Sequence, residues 1–347
     1  MQKALVLFFL LLGNINGQGF PSPQIAVPNQ GLAPLRGLAN APNQGLAPFL
    51  ANASVQPYVL VLGTAQDGGL PQIGCQGPNC KAVAERPAMR RLVSSLLVVD
   101  PASGKRWLID ASPDIREQVD LASGHPPYRS SSHGRPALVD GVFLTHAHMG
   151  HYSGLLHFGR EVYGHPEIPL YGTSRLLSFL QANGPWSLLF ESKHFKPVSM
   201  TPDVPVILTK SLSITPFLVP HRDEFSDTVG FLIKGPNKKL LYIPDIDKWT
   251  KWDRDVRKEI SEVNIALLDG TFFADGEIPG RAMVDIPHPF ITESMSLFSS
   301  LELTERQKIY FIHFNHTNPA VDLKSLAASQ ILKNGMHCVA EGQVFNL

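Results

Sequence analysis

The stretch Phe143-Leu144-Thr145-His146-Ala147-His148-Met149-Gly150-His151 decides how this chain is read. Its three histidines come directly after the apolar run Ala137–Leu144. That run predicts a buried strand, and the histidines predict the turn leaving its end. A neutral imidazole offers a nitrogen lone pair near pH 7, so several converging on one point build a transition-metal site. His146 and His148, two apart on extended backbone, project the same way. His151 comes one turn later, at the mouth of a helix expected from Tyr152 to Phe158.

Working outward, the same arrangement recurs. Leu212–Val219 reads as a strand delivering His221, Lys239–Ile243 as one delivering Asp245, and Lys308–Ile312 as one delivering His313. Leu92–Asp100 and Lys105–Asp110 read as a hairpin around Pro101–Gly104, with Asp110 closing its second strand. Asp110 is also placed to cap a helix that begins near Pro113. Further strands are expected at Tyr58–Leu62, Ile168–Gly172, Val206–Leu208, Gly230–Ile233, Ile265–Asp269 and Val339–Val344, and helices at Ser174–Gln181 and Ile291–Leu301. The turn Gly63-Thr-Ala-Gln-Asp-Gly-Gly69 lacks the spacing of a phosphate loop, and reads as a tight turn that lets backbone approach the site.

His146-x-His148-x-Gly150-His151 resembles the His-x-His-x-Asp-His signature of the metallo-β-lactamase fold superfamily, with glycine where that family has aspartate. From about Tyr58 to the C-terminus the context is similar to two of its branches, the pyrroloquinoline-quinone biosynthesis protein B group and the cyclic phosphodiesterase of phosphonate breakdown. The resemblance implies an α/β (α+β) chain folded as an αββα sandwich, with metal at the edge of its two sheets. Carried over position by position, it implies that His146, His148 and His221 hold a first metal, that Asp245 bridges, and that His151, Asp245 and His313 hold a second. Asp247 competes for the bridge, and Asp245 is preferred because it directly follows Tyr242-Ile-Pro. Asp110 is expected to orient the histidine loop, and His288 to protonate a leaving group. With glycine at 150, the second metal is expected to bind more weakly, and use of the site with one metal or with two stays open. Arg222, Asp223 and Glu224 are expected at the pocket rim, and Asn315 buried beside the metal.

The expected cofactor is one or two zinc ions, because histidines with a shared carboxylate suit open zinc coordination; iron or manganese also fits the donors. In the phosphodiesterase branch three cysteines and a late histidine hold a structural zinc. Here Cys75, Cys80 and His316 match three of those positions and Gly77 replaces the fourth. Three readings stay open for Cys75 and Cys80: a disulfide, a residual zinc site with His316, or two free thiols. Cys338 is expected to be buried and inert.

Thirty basic and thirty acidic residues cancel, which leaves no electrostatic footprint for nucleic acid or anionic membrane. Lys3, the apolar core Ala4–Leu12 and the exit Gly13–Gly17 read as a signal peptide over residues 1–17, too short to span a bilayer. The mature protein is therefore expected to be secreted or periplasmic, with no stable membrane insertion. Residues 18–56 are rich in Pro, Gly, Asn and Ala and repeat Pro-Asn-Gln-Gly-Leu-Ala-Pro at Pro28 and Pro42, which predicts a disordered tether. Asn52-Ala-Ser54 is a glycosylation acceptor sequence. The folded domain is expected over 57–347. The expected activity is metal-dependent hydrolysis of a small ester-, lactone- or phosphodiester-type substrate, with hydroxide generated on the metal. Two other classes compete: a quinone-biosynthesis-like oxidase or hydroxylase, and a non-catalytic, metal-stabilised binding protein.

Overall fold

The computed structural model describes residues 56–347 except 124, 126–135, 279 and 284–285. The signal peptide, most of the tether and Asn52 lie outside the described residues, which belong to one compact unit, Ala53–Leu347. Among the described residues, fourteen strands form two seven-stranded sheets. The first contains β1 (Tyr58–Gly63), β2 (Ser95–Asp100), β3 (Lys105–Ile109), β4 (Gly141–Phe143), β5 (Ile168–Thr173) and β6 (Phe195–Met200). The second contains β7 (Val206–Ile207), β8 (Ser213–Leu218), β9 (Val229–Lys234), β10 (Lys239–Ile243), β11 (Ile265–Asp269), β12 (Ile309–Ile312) and β13 (His337–Cys338). The last strand, β14 (Val344–Asn346), returns to the first sheet beside β1.

Both sheets are built alike. One half is antiparallel, β14-β1-β2-β3 and β7-β8-β9-β10; the other is parallel, β3-β4-β5-β6 and β10-β11-β12-β13. Strand period 2 sorts the side chains into three layers. Val59, Val61, Trp107, Ile109 and Phe143 of the first sheet meet Ile214, Phe231, Ile233, Tyr242 and Leu267 of the second in a fully apolar middle layer. Their sequence neighbours Leu60, Leu62, Leu108 and Val142 face outward under Ile115, Leu155, Leu176 and Leu180. On the other side Leu241, Ile243, Ala266 and Leu268 lie under Ile260, Ile291, Phe298 and Ile331. Helices, sheet, sheet and helices make the αββα sandwich expected from the sequence.

Local departures have physical causes. The expected strand Val339–Val344 is instead a crossing between sheets: β13 ends at Cys338, Gln343 N–H donates to Ala340 at 3.2 Å, and β14 starts at Val344. The run Ala137–Leu144 keeps only Gly141–Phe143 as ladder, because Asp140 spends its carboxylate on the Arg106 amide at 2.9 Å. His151 sits inside a short helical turn, Met149–Tyr152, followed by a 3-10 segment, Ser153–Phe158, rather than at the start of a longer helix. Strand β6 carries Pro197, which an edge strand tolerates because no ladder donor is needed on its outer side.

Candidate metal centre

The carboxyl ends of the parallel strands and their neighbours bring every expected ligand together. His146, His148 and His151 follow β4, His221 follows β8, Asp245 follows β10 and His313 follows β12. His146 Nε2 lies 2.9 Å from His148 Nδ1 and 3.4 Å from Asp245 Oδ2, and His221 Nε2 lies 3.2 Å from Asp245 Oδ1. The donor atoms of these four residues are within 4.8 Å of one another. A second group with the same spacing is Asp67, His151 and His313. Asp245 Oδ2 is 3.8 Å from His151 Nε2 and 3.9 Å from His313 Nε2, so this one carboxylate stands between both groups. A third group joins Asp245 and Asp269 to His288.

Buried carboxylates and hydroxyls set the imidazoles. Asp110 accepts the Thr145 amide at 2.8 Å, the Thr145 hydroxyl at 3.0 Å and His151 Nδ1 at 2.8 Å. The Thr145 hydroxyl proton goes to Asp110, so its oxygen can only accept from His146 Nδ1, 3.0 Å away. That fixes the tautomer with Nε2 bare and aimed inward. The second sheet repeats the device. Asp269 accepts the Thr271 hydroxyl at 2.7 Å, and Thr271 Oγ1 lies 2.9 Å from His313 Nδ1. Asp269 also takes His288 Nδ1 at 2.9 Å. Glu224 holds His148 Nε2 at 3.0 Å, which leaves Nδ1 for the site. Asp110 and His313 both sit at positive φ, 63° and 68°, so the strand-to-loop bends at the site are held in a conformation that L residues avoid.

The electrostatics suit a cation. Burial pushes His146 well below the usual imidazole range, the His151 charge adding to it, and burial also lowers His148 and His313. They are therefore neutral donors. Burial opposes charge on His151 too, but Asp110, Asp67 and Asp245 outweigh it and hold the group at about 9. The same holds for His288, kept at about 9 by Asp269 and Asp245 against its burial. Burial would raise Asp245, yet His221, His288 and His313 hold it well below the carboxylate range. His151 Nε2, His221 Nε2, His313 Nε2 and Asp245 Oδ1 are buried with no hydrogen-bond partner among the described residues. Orphaned buried polar atoms are costly. These four fall in two groups of close-set donors linked by Asp245, which is what bound metal would satisfy, so the residues present fit one.

Asp245 takes the central position, while Asp247 points to His221 Nδ1 at 3.4 Å and pairs with Lys251 at 2.8 Å. Arg222, Asp223 and Glu224 are exposed at the rim, and Asn315 is buried, donating to Gln66 at 2.7 Å. Sequence reasoning missed Asp67, Asp269, Thr145 and Thr271, and it placed Glu224 at the rim without its contact to His148. The signal for Asp67 was the lone charge in the turn Gly63–Gly69, read only as backbone. Cys75 and Cys80 are joined as a disulfide, which sets aside the zinc and free-thiol readings. His316 lines a cavity of about 690 Å³ beside that disulfide, with Glu277 and Thr317. Cys338 is half-buried rather than buried, and its burial pushes the thiol up to about 12.

Comparison with known proteins adds the family. Residues 105–314 match the Beta-lactamase superfamily domain. The chain belongs to the metallo-β-lactamase superfamily. The enzyme class expected from the sequence, a metallo-hydrolase, stands with that membership. Coenzyme PQQ synthesis protein B of Methylobacterium radiotolerans is 31% identical over 287 residues, covering 76% of this chain and 91% of that protein. Among solved structures, zinc-bound PqqB from Methylobacterium extorquens superposes with a TM-score of 0.71 at 24% identity, covering 84% of this chain and all of that one. A diphosphatase from the PhnP family superposes with a TM-score of 0.58 at 20% identity, covering 84% of this chain and 97% of that one. Both share the fold of this chain.

Proposed function

We propose that this protein is an exported metal-dependent hydrolase acting on a small ester-, lactone- or phosphodiester-type substrate. The observation that carries the reading is that His151 Nε2, His221 Nε2, His313 Nε2 and Asp245 Oδ1 are buried around one site with no hydrogen-bond partner among the described residues. His146, His148, His221 and Asp245 would hold one cation, and His151, His313 and the shared Asp245 would serve a second. Imidazole and carboxylate donors with an open position suit zinc, the ion named in the solved PqqB structure. When bound, such a cation supplies Lewis acidity and an activated water near neutral pH.

The chain's own groups do the rest. Asp110 and Asp269, through Thr145 and Thr271, keep His146 and His313 in the tautomer that presents Nε2. His288 spends Nδ1 on Asp269, so only its doubly protonated form carries a proton on Nε2 that it can give to a departing oxygen. At about 9 its charged form dominates at neutral pH, which suits an acid and not a base. Export is supported by Lys3 and the apolar run Ala4–Leu12, and by the Cys75–Cys80 disulfide, which persists in an oxidising compartment. Among the described residues no helix is long and apolar enough to cross a membrane. The partner is a small molecule, since charge balance gives no purchase for nucleic acid.

His146→Ala and Asp245→Ala should each remove bound metal and turnover against a panel of esters, lactones and phosphodiesters; undiminished hydrolysis by either rejects the reading. The similarity to coenzyme PQQ synthesis protein B favours a second reading, an oxidative step on a quinone precursor. Iron in the protein as isolated, with substrate-dependent oxygen uptake, would establish that one instead.

A further inference from the structure

We propose that the carboxylate missing at position 150 is supplied from elsewhere in the chain: Asp67, on the turn after β1, completes a second cation position with His151, His313 and the shared Asp245. The inference rests on the reading of the site as a metal centre and deepens it.

Four observations carry it. The first is space. A Cβ built on Gly150 would overlap Asp67 Oδ1 and lie 2.8 Å from Asp67 Cα. Any side chain at 150 would compete with Asp67 for one volume, so glycine there is the condition for the carboxylate to enter. The second is aim. The Gly150 amide donates to Asp67 Oδ1 at 3.2 Å, directing the carboxylate toward His151 Nε2, 4.0 Å away. The third is reach. Asp245 Oδ2 lies 3.8 and 3.9 Å from the Nε2 atoms of His151 and His313, and neither Nε2 has a partner among the described residues. Donors about 2.0–2.2 Å from a tetrahedral zinc ion sit roughly 3.3–3.6 Å from one another. The separations here, 3.8 to 4.0 Å, are slightly wider, so one ion spans this set once the side chains close in a little.

The fourth is rigidity. The turn that carries Asp67 is sewn to the segment that carries His313. Phe314 N–H donates to Thr64 at 2.9 Å, Gln66 N–H donates to Phe314 at 2.9 Å, and Asn315 Nδ2 donates to Gln66 Oε1 at 2.7 Å. On its other side Thr64 and Ala65 both donate to Leu92 at 2.8 Å. Asp67 and His313 thus move as one piece. The ligand has changed its place along the sequence but not its place in the site, and weaker binding of the second metal does not follow from Gly150.

The bland alternative is that Asp67 only accepts the Gly150 amide. Asp67→Asn keeps that acceptor and the volume but removes the charge, so it separates the two roles. The full-length protein, stripped with chelator, is titrated with Zn²⁺ by calorimetry, and bound metal is counted by elemental analysis. Wild type should take two equivalents. Asp67→Asn should bind the first as wild type does and the second at least about a hundredfold more weakly, as expected for loss of a charged ligand. Gly150→Ala, which pushes the carboxylate aside, should do the same, and it carries the test if Asp67→Asn does not fold. A second equivalent in Asp67→Asn within about threefold of wild type overturns the proposal and leaves the metal reading standing. Wild type taking only one equivalent, lost in His146→Ala, does the same. Wild type taking none overturns both.

Discussion

Replacing Asp110 by asparagine should weaken both metal-binding events, unequally. Asp110 is fully buried and serves two ligands, His151 directly at 2.8 Å and His146 through Thr145. The new amide keeps an oxygen that can still accept the Thr145 amide. Its NH2 then faces His151 Nδ1, which must become an acceptor. That moves the His151 proton to Nε2 and blocks the atom that would bind the second cation. The Thr145 hydroxyl loses one of its two carboxylate oxygens, 3.0 Å away each, so His146 is held less firmly. A partner that orients a ligating histidine contributes about 10–100-fold in metal affinity, or about 1.4–2.7 kcal/mol. The second equivalent should fall at the upper end of that range and the first at the lower. Competition against a chromogenic chelator at fixed pH resolves both affinities. Two unchanged affinities would refute the claim that these relays set the imidazoles. A loss confined to the second equivalent would refute the path through Thr145, and one confined to the first would refute the direct path to His151.

Other expectations follow from the same geometry. His288→Gln should leave zinc stoichiometry intact and lower kcat by about 10²–10⁴, the range of a general acid, with the alkaline limb of the pH–rate profile removed; a variant that loses metal as well would show a structural role instead. Half-buried Glu341 accepts the Leu92 amide at 2.6 Å, and its burial pushes it up to about 7. The unfolded chain loses this proton near 4.5, so stability is highest below that pH and falls as pH rises from about 4.5 to 7. The ionised carboxylate costs at most about 3 kcal/mol at pH 8. Glu341→Gln should raise urea resistance of the metal-free protein at pH 8 and not at pH 4.5; Glu277, also held at about 7 by burial, carries the same sign, so the slope should halve rather than vanish. Replacing Cys75 and Cys80 by serine opens a short loop, and about 2 kcal/mol should be lost without a change in bound zinc. A lost zinc equivalent would restore the structural-zinc reading.

The architecture was legible because strand period and ligand placement are local signals. Buried strands such as Leu240–Ile243 announce themselves as apolar runs, and β4, β8, β10 and β12 each have a candidate ligand within a few residues of their ends. What escaped was set by distant packing. Val339 and Ala340 open this stretch as apolar residues, but Glu341, Gly342 and Gln343 carry the chain from one sheet to the other, and no window of sequence reports that crossing. The strand β6 went unassigned in the sequence, and its Pro197 is tolerated because β6 is an edge. The disulfide was one of three chemistries that the same two cysteines permit, and only their placement selects among them.

The candidate site divides in the same way. His146, His148, His151, His221, Asp245 and His313 could be named because each follows its own strand. The groups that make them work could not, because the relation is between strands. Asp269 looks like the polar end of β11 until Thr271 and His313 are seen against it. Asp110 and Asp269 come from different sheets, yet each ties a carboxylate to a threonine hydroxyl and the hydroxyl to an imidazole Nδ1. Buried neutral imidazoles demand this. Without a fixed donor on Nδ1 the proton is free to sit on Nε2, and the ligand is lost half the time at no cost in packing. A glycine in a histidine motif reads as a deficit for the same reason. Sequence shows what is absent at 150, whereas the fold shows that the Asp67 carboxylate fills the space. Ligand count should therefore be taken over the loops that meet at the strand ends, and not over the motif.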